Sequence, residues 1–151
     1  EALSTLRIEM GHVAGSELDG RTIPYDASLE GLVSKKKDFI GKRSLNRSAF
    51  TSTDREKLVG VVPIDKTTSI PEGSYIVKDP KAKLPNPKLG HVSASCWSVE
   101  YDNPFSLAII KDGKNMIGQK LFAMSPLKNK TIPVEIVSSH YVDPEGKRVR
   151  S

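Results

Sequence analysis

The sequence predicts an α+β segment over residues 1–53 followed by an all-β domain over residues 54–151, a small antiparallel barrel or sandwich. Three observations carry that prediction. An apolar stripe at helical spacing, formed by Leu3, Leu6 and Met10, stands at the very start of the chain. From Ser52-Thr53-Asp54 onward the text changes to short β-like runs separated by turn signals. Ten Pro and eleven Gly among 151 residues supply the turns that such a body needs.

Each element follows in order. Ala2 to Met10 reads as a helix, with Arg7 and Glu9 flanking its stripe on opposite sides, and Gly11 is placed to end it in the left-handed conformation. His12 to Pro24 is turn text, broken by Gly15, Ser16, Asp19 and Gly20. Leu29 to Val33 is short and apolar enough for a strand, and Phe39-Ile40-Gly41 leads into a short helix over Lys42 to Arg47. Strands are expected at Lys57–Ile64, Ser74–Val77, Gly90–Ser98, Ser106–Lys111, Gln119–Met124 and Thr131–Val137. The last alternates Ile132, Val134 and Ile136 on one face. Turns are expected at Pro71-Glu72-Gly73 and Asp102-Asn103-Pro104, and a hairpin-like turn at Asp112-Gly113-Lys114-Asn115. Lys78 to Leu89, with three prolines and four lysines, reads as a surface loop.

Composition excludes several classes. The longest apolar runs, Leu58–Val62 and Leu107–Ile110, are far short of the roughly 18 residues that span a membrane. No charged stretch precedes an apolar one in the manner of a signal peptide. Cys96 is alone, so no internal disulfide forms, and a reducing cytoplasm is the expected home. Asn46-Arg47-Ser48 and Asn129-Lys130-Thr131 match the glycosylation pattern but have no secretion signal beside them. The net charge of +5 fits a nucleic acid, a carboxylate-bearing ligand, an acidic protein surface or a merely solvated basic face. The lysines are spread along the chain without interleaved aromatics, which argues against a nucleic-acid strand. His12, His91 and His140 are scattered, with no metal-ligand spacing. No dinucleotide fingerprint, phosphate loop or catalytic triad spacing is present.

Few residues carry chemistry on their own. Glu9 on a helix flank suits a charge-assisted pair with a heterocycle that presents neighbouring N–H groups, although the local sequence by itself favours an exposed pairing with a Lys. Lys35-Lys36-Lys37 suits an anionic tail or plain solvation, Asp26 a cap on the turn after it, and Tyr141 simple packing. Cys96-Trp97 reads as a core or edge-strand pair, with no local base to make Cys96 a nucleophile.

Order adds what single residues lack. Leu6-Arg7-Ile8-Glu9-Met10-Gly11, then Asp19-Gly20-Arg21-Thr22-Ile23-Pro24, then Lys37-Asp38-Phe39-Ile40-Gly41-Lys42-Arg43-Ser44-Leu45 follow one another at spacings that resemble the folate-dependent aminomethyltransferase family, which includes the T-protein of the glycine cleavage system. Gly90-His91-Val92-Ser93-Ala94-Ser95 resembles that family's Gly-x-Val-Thr-Ser segment, departing from it at Ser93 and Ala94. Ser34 to Leu45, Leu58-Val59-Gly60 and Asp143-Pro144-Glu145-Gly146-Lys147-Arg148 resemble the branch formed by the alpha subunits of heterotetrameric sarcosine oxidases.

The resemblance implies a fold: the end of a folate-binding aminomethyltransferase-type domain over 1–53, then a C-terminal antiparallel β-barrel over 54–151. The chain starts at Glu1 and is expected to be the C-terminal piece of a larger enzyme. The family's helix places its Glu against the folate pterin, which implies Glu9 as a folate ligand and Arg7 as a brace. Lys37 is the closest match to a basic residue that contacts folate, an Arg in relatives. Tyr141 is the candidate for a C-terminal Tyr that touches folate. No catalytic residue is expected, because the family's acid–base Asp lies upstream.

The resemblance also implies a reaction. Sarcosine is oxidised with oxygen at a flavin on another subunit, and tetrahydrofolate captures the carbon as 5,10-methylenetetrahydrofolate with release of glycine and hydrogen peroxide. FMN, FAD and NAD would belong to the full complex and not to this segment, and the partners would be the beta, gamma and delta subunits. The alternatives are a glycine-cleavage aminomethyltransferase and a non-enzymatic folate- or RNA-binding module.

Overall fold

The structure, a computed structural model, describes every residue except Ser16, Leu84, Pro85 and Ser151. Strands β1 (Glu56–Pro63), β2 (Tyr75–Val77), β3 (Gly90–Ser98), β4 (Asn103–Lys111), β5 (Lys120–Ser125) and β6 (Lys130–Val137) form a closed antiparallel barrel in the order β1-β4-β3-β2-β5-β6. The barrel closes where Gly60 to Pro63 pairs with Val134 to Val137. Closure removes every free sheet edge, which suits strands this short.

Alternation decides which side chains fill the interior. Val59 and Val61 of β1 point inward, with Ile76, Val92, Ile110, Ala123 and the β6 set of Ile132, Val134 and Ile136. Leu58 points to the other side and is also buried, in a second cluster with Ile8, Ala94, Phe105 and Leu107. That is why Leu58 to Val62 reads as an unbroken apolar run: one face fills the barrel and the other lies under the N-terminal segment. β1 ends at Pro63, one residue before the expected Ile64.

Several sequence expectations change. Leu29 to Val33 is not a strand; Glu30–Leu32 is a single 3-10 turn with no buried residue. β4 begins at Asn103, not Ser106, because the turn closes earlier, at Asp102 in a left-handed conformation. Asp112-Gly113-Lys114-Asn115 makes no hairpin, since β4 pairs with β1 and β3 whereas β5 pairs with β2 and β6. A 3-10 turn over Gly113–Met116 carries the crossing instead. The described part of Lys78 to Leu89 is loop and turn, and the loop's Leu84 and Pro85 lie outside the described residues.

Helix α1 (Ala2–Glu9) forms where the periodicity placed it, but its expected stripe is not its buried face. Leu3 and Leu6 are exposed, while Ile8 and Glu9 are buried against the barrel. The rotation follows from what α1 packs on: Ile8 fills the second cluster above Leu58 and Phe105. Short helices α2 (Lys42–Leu45), α3 (Ser48–Thr51) and α4 (Lys147–Arg150) complete the chain.

Candidate functional site

α1 ends on two features that bring it to the barrel. Gly11 adopts φ +67°, as its position after the helix predicts. A Cβ there would stand 2.6 Å from the Ser139 carbonyl oxygen, so only glycine lets the chain leaving β6 pass this close. That close approach answers a backbone need. The last carbonyls of a helix have no partner within it. The Tyr141 and Val142 N–H groups donate to the Glu9 carbonyl at 3.0 and 3.1 Å.

The Glu9 side chain is held as firmly. Its carboxylate is buried, at 5% exposure. Oε1 accepts the Ser98 hydroxyl at 2.6 Å and the Val99 N–H at 3.1 Å, both from the end of β3. Two donors use both lone pairs of Oε1. Oε2 has no hydrogen bond among the described residues, and no cation there forms an ion pair with Glu9. Glu9 is therefore a buried acid at the negative end of a helix, a place where electrostatics disfavours it. It is neither exposed nor paired with a Lys.

Tyr141 adjoins this arrangement. Its ring stacks on Phe105 with centroids 4.3 Å apart and meets Tyr101 edge-on at 4.7 Å. Gly60 leaves room for Phe105: a Cβ there would stand 2.6 Å from the Phe105 ring. The Tyr141 hydroxyl accepts the Asn103 amide N–H at 3.0 Å and lies 3.3 Å from the Asn103 amide oxygen, within donating distance. The structure thus brings Glu9 and Tyr141 together. Lys37 is exposed in the loop before α2, its backbone engaged by Ser34 and Lys42, and among the described residues no hydrogen bond or ion pair joins its side chain to the other two.

Cys96 lies on β3 beside this cluster, half-buried. Burial, then the nearby Glu9 charge, push its thiol up to about 11, so it is a packing residue and not a ready thiolate. Arg7 braces the turn after the helix, donating to the His12 carbonyl and pairing with Glu17 at 3.5 Å. Among the described residues no group of three or more His, Cys, Asp or Glu side chains is gathered to hold a metal ion.

A separate, half-open cavity of about 440 Å³ lies between the turn segment and β1, lined in part by Glu17, Arg21, Asp26, Arg55 and His91. Its charges are mostly spent on one another. Asp26 binds Arg55 and Lys57, tying the first segment to the start of β1. Its turn bond is to Ile23 N–H, so it closes the turn before it and not the one after, as the sequence had led us to expect. Burial alone would raise the Asp26 pKa, but Arg55, the Ile23 N–H and Lys57 outweigh it and hold the carboxyl low. The Arg21 side chain and N–H hold exposed Asp19 down to about 2. Glu17 Oε1 is buried with no partner among the described residues.

Ser98, Val99 and Asn103 were not singled out by sequence. Ser98 stands 89 residues from Glu9, and no local signal marks a serine at a strand end.

The closed six-stranded barrel has known counterparts. Residues 56–143 match the glycine cleavage T-protein C-terminal barrel domain, and the chain belongs to that family. It is 37% identical, over 99% of its length, to sarcosine oxidase subunit alpha of Rhizobium meliloti (strain 1021), and 36% identical over 98% to that of Corynebacterium sp. (strain P-1). It spans only 15% of the length of either. An aminomethyltransferase of Synechococcus sp. (strain CC9902) is 30% identical over 90% of this chain and 35% of its own. The solved glycine cleavage system aminomethyltransferase T of Bartonella henselae shares the fold, with TM-score 0.74 over 95% of this chain and 38% of that one, at 22% identity. No described helix is long and apolar enough to cross a membrane.

Proposed function

We propose that this chain is the C-terminal part of a sarcosine oxidase alpha-type subunit and that Glu9 is its folate-binding carboxylate. The observation that supports this most is the state of Glu9. Burying most of an acid at the negative end of a helix costs stability, and its neighbours hold one oxygen only while the other stays open to solvent. A pterin ring offers adjacent N–H and amino donors, which is the complement that Oε2 lacks. Tyr141 backs the site from the barrel side, and Lys37, with its exposed ammonium, is assigned to the folate's carboxylate tail. Residues 1–53 are read as the end of the folate domain and 54–151 as its barrel.

Bound tetrahydrofolate would supply the nitrogens that capture the carbon released by sarcosine oxidation, giving 5,10-methylenetetrahydrofolate and glycine. In that reading the oxidation, with hydrogen peroxide as the other product, belongs to flavin sites elsewhere in the complex. FMN, FAD and NAD are held outside this segment, and the beta, gamma and delta subunits are the partners, in the cytoplasm. The residues here bind and orient; none is assigned to catalysis. The match to aminomethyltransferases supports a second reading, a glycine-cleavage enzyme with the same folate site.

The test is a separation of activities in the complete subunit assembled with its partners. Glu9→Ala is expected to leave peroxide formation from sarcosine unchanged and to abolish its folate-dependent yield of methylenetetrahydrofolate. Unchanged folate-dependent product would remove Glu9 from the site, and no sarcosine oxidation in the wild-type assembly would favour the aminomethyltransferase reading.

A further inference from the structure

The barrel reaches the Glu9 carboxylate through β3, and this geometry assigns a role to a residue that the sequence passed over. We infer that Ser98 is a positioning residue, fixing the plane of the Glu9 carboxylate so that Oε2 alone faces the ligand. The inference rests on the reading of Glu9 as the folate-binding carboxylate.

Four hydrogen bonds converge on Glu9 from the barrel. The Tyr141 and Val142 N–H groups hold its carbonyl, and the Ser98 hydroxyl and Val99 N–H hold its Oε1. The first pair fixes the main chain and the second fixes the side chain. A carboxylate with one anchored oxygen cannot turn about its terminal torsion without losing a bond to a charged acceptor. Ser98 is fully buried, so water does not replace its hydroxyl if it is removed. Val99 N–H, left alone, would hold Oε1 at one point and permit rotation. The Ser98 hydroxyl also lies 3.4 Å from the Tyr101 N–H, which leaves its own proton committed to Glu9.

This geometry has a consequence for recognition. With both lone pairs of Oε1 in use, two adjacent donors on a heterocycle converge on Oε2 and do not straddle the carboxylate. The site then selects by where the ligand's donors lie relative to one fixed oxygen. A ligand that needs both oxygens would have to displace the Ser98 hydroxyl or the Val99 N–H first.

A double-mutant cycle in the full-length subunit tests this, with folinic acid as the probe and calorimetric affinity as the readout. In the wild-type background Ser98→Ala is expected to weaken binding about tenfold, the worth of one charge-assisted hydrogen bond. In the Glu9→Gln background it is expected to change affinity less than about twofold, because the charged group it orients is gone. A structural role would cost the same in both backgrounds, and that result overturns the inference, as does a Ser98→Ala variant that binds normally. Should Ser98→Ala fail to fold, Ser98→Cys fills the same space with a much weaker donor and carries the same cycle. Loss of binding in Glu9→Gln with none in Ser98→Ala rejects Ser98 and keeps the folate reading. Full binding in Glu9→Gln rejects both.

Discussion

Leu107, Ile110 and Ile136 of the barrel are fully buried, whereas Leu3, Leu32 and Ile40 in the first segment are 81%, 80% and 104% exposed. The two regions share one chain and differ in how their apolar residues are spent. The barrel fills its interior with its own side chains and takes cover from the first segment over Leu58 and Phe105. The first segment contributes Ile8 and part of Val13 to the seam with the barrel and leaves Leu3, Leu6, Leu18, Leu32 and Ile40 exposed. Its attachment is largely polar: Asp26 to Arg55 and Lys57, and Glu9 to Ser98, Val99, Tyr141 and Val142. Stability is therefore expected to reside in the barrel, and the recognition chemistry at the seam.

Substitutions can break that contrast. The largest effect is expected at Phe105, which is fully buried and carries Tyr141 on its face. Phe105→Ala should cost about 3–5 kcal/mol in urea unfolding. Leu3→Ala, by contrast, should change stability by less than about 0.5 kcal/mol. Comparable losses at the two positions would mean that the first segment has a core of its own.

Next comes the polar seam. Asp26→Asn should cost about 1–3 kcal/mol, since it leaves Arg55 and Lys57 facing a neutral amide. The pH dependence has a definite sign. The folded Asp26 pKa is depressed, so its contribution is present above the unfolded value of about 3.9 and is lost as pH falls through the lower folded value. Asp26→Asn should flatten the acid limb of the stability profile in that window. An identical limb in both proteins would show that the pairing contributes nothing.

How much of this could be read from the sequence follows the same division. The β6 alternation and the apolar run of β1 identified strands because each residue's partner face is repeated along the strand. The helix at Ala2 and its stop at Gly11 were equally readable. Its orientation was not, because an apolar stripe says which side wants cover and not which side receives it. Leu29 to Val33 misled for a related reason: a short apolar run has no period to decide between strand and turn. Glu9 stood out through its motif, yet its environment came from residues about ninety positions away that no local pattern links to it. Asn103, which locks Tyr141, was hidden in what looked like an ordinary turn.

Smaller effects sharpen the assignment of the seam. Glu9→Gln should leave the stability of the 151-residue chain unchanged or raise it by about 0.3–1 kcal/mol, because it removes a negative charge from a helix C-terminus and keeps an acceptor for Ser98. A large loss would make Glu9 a structural residue. Smallest of all, Cys96 should resist iodoacetamide at neutral pH in the folded chain and react readily once unfolded, since burial and the Glu9 charge raise its pKa to about 11. Fast alkylation of the folded chain would show that the seam opens.

The most direct measurement is a calorimetric titration of folinic acid into the complete subunit, with Glu9 intact and with Glu9→Ala. Saturable binding is expected in the first and none in the second, with a stability loss of no more than about 1–3 kcal/mol from the stranded Ser98 hydroxyl. Equal affinity in both would contradict it and leave Glu9 as an acid buried at the seam for reasons other than folate.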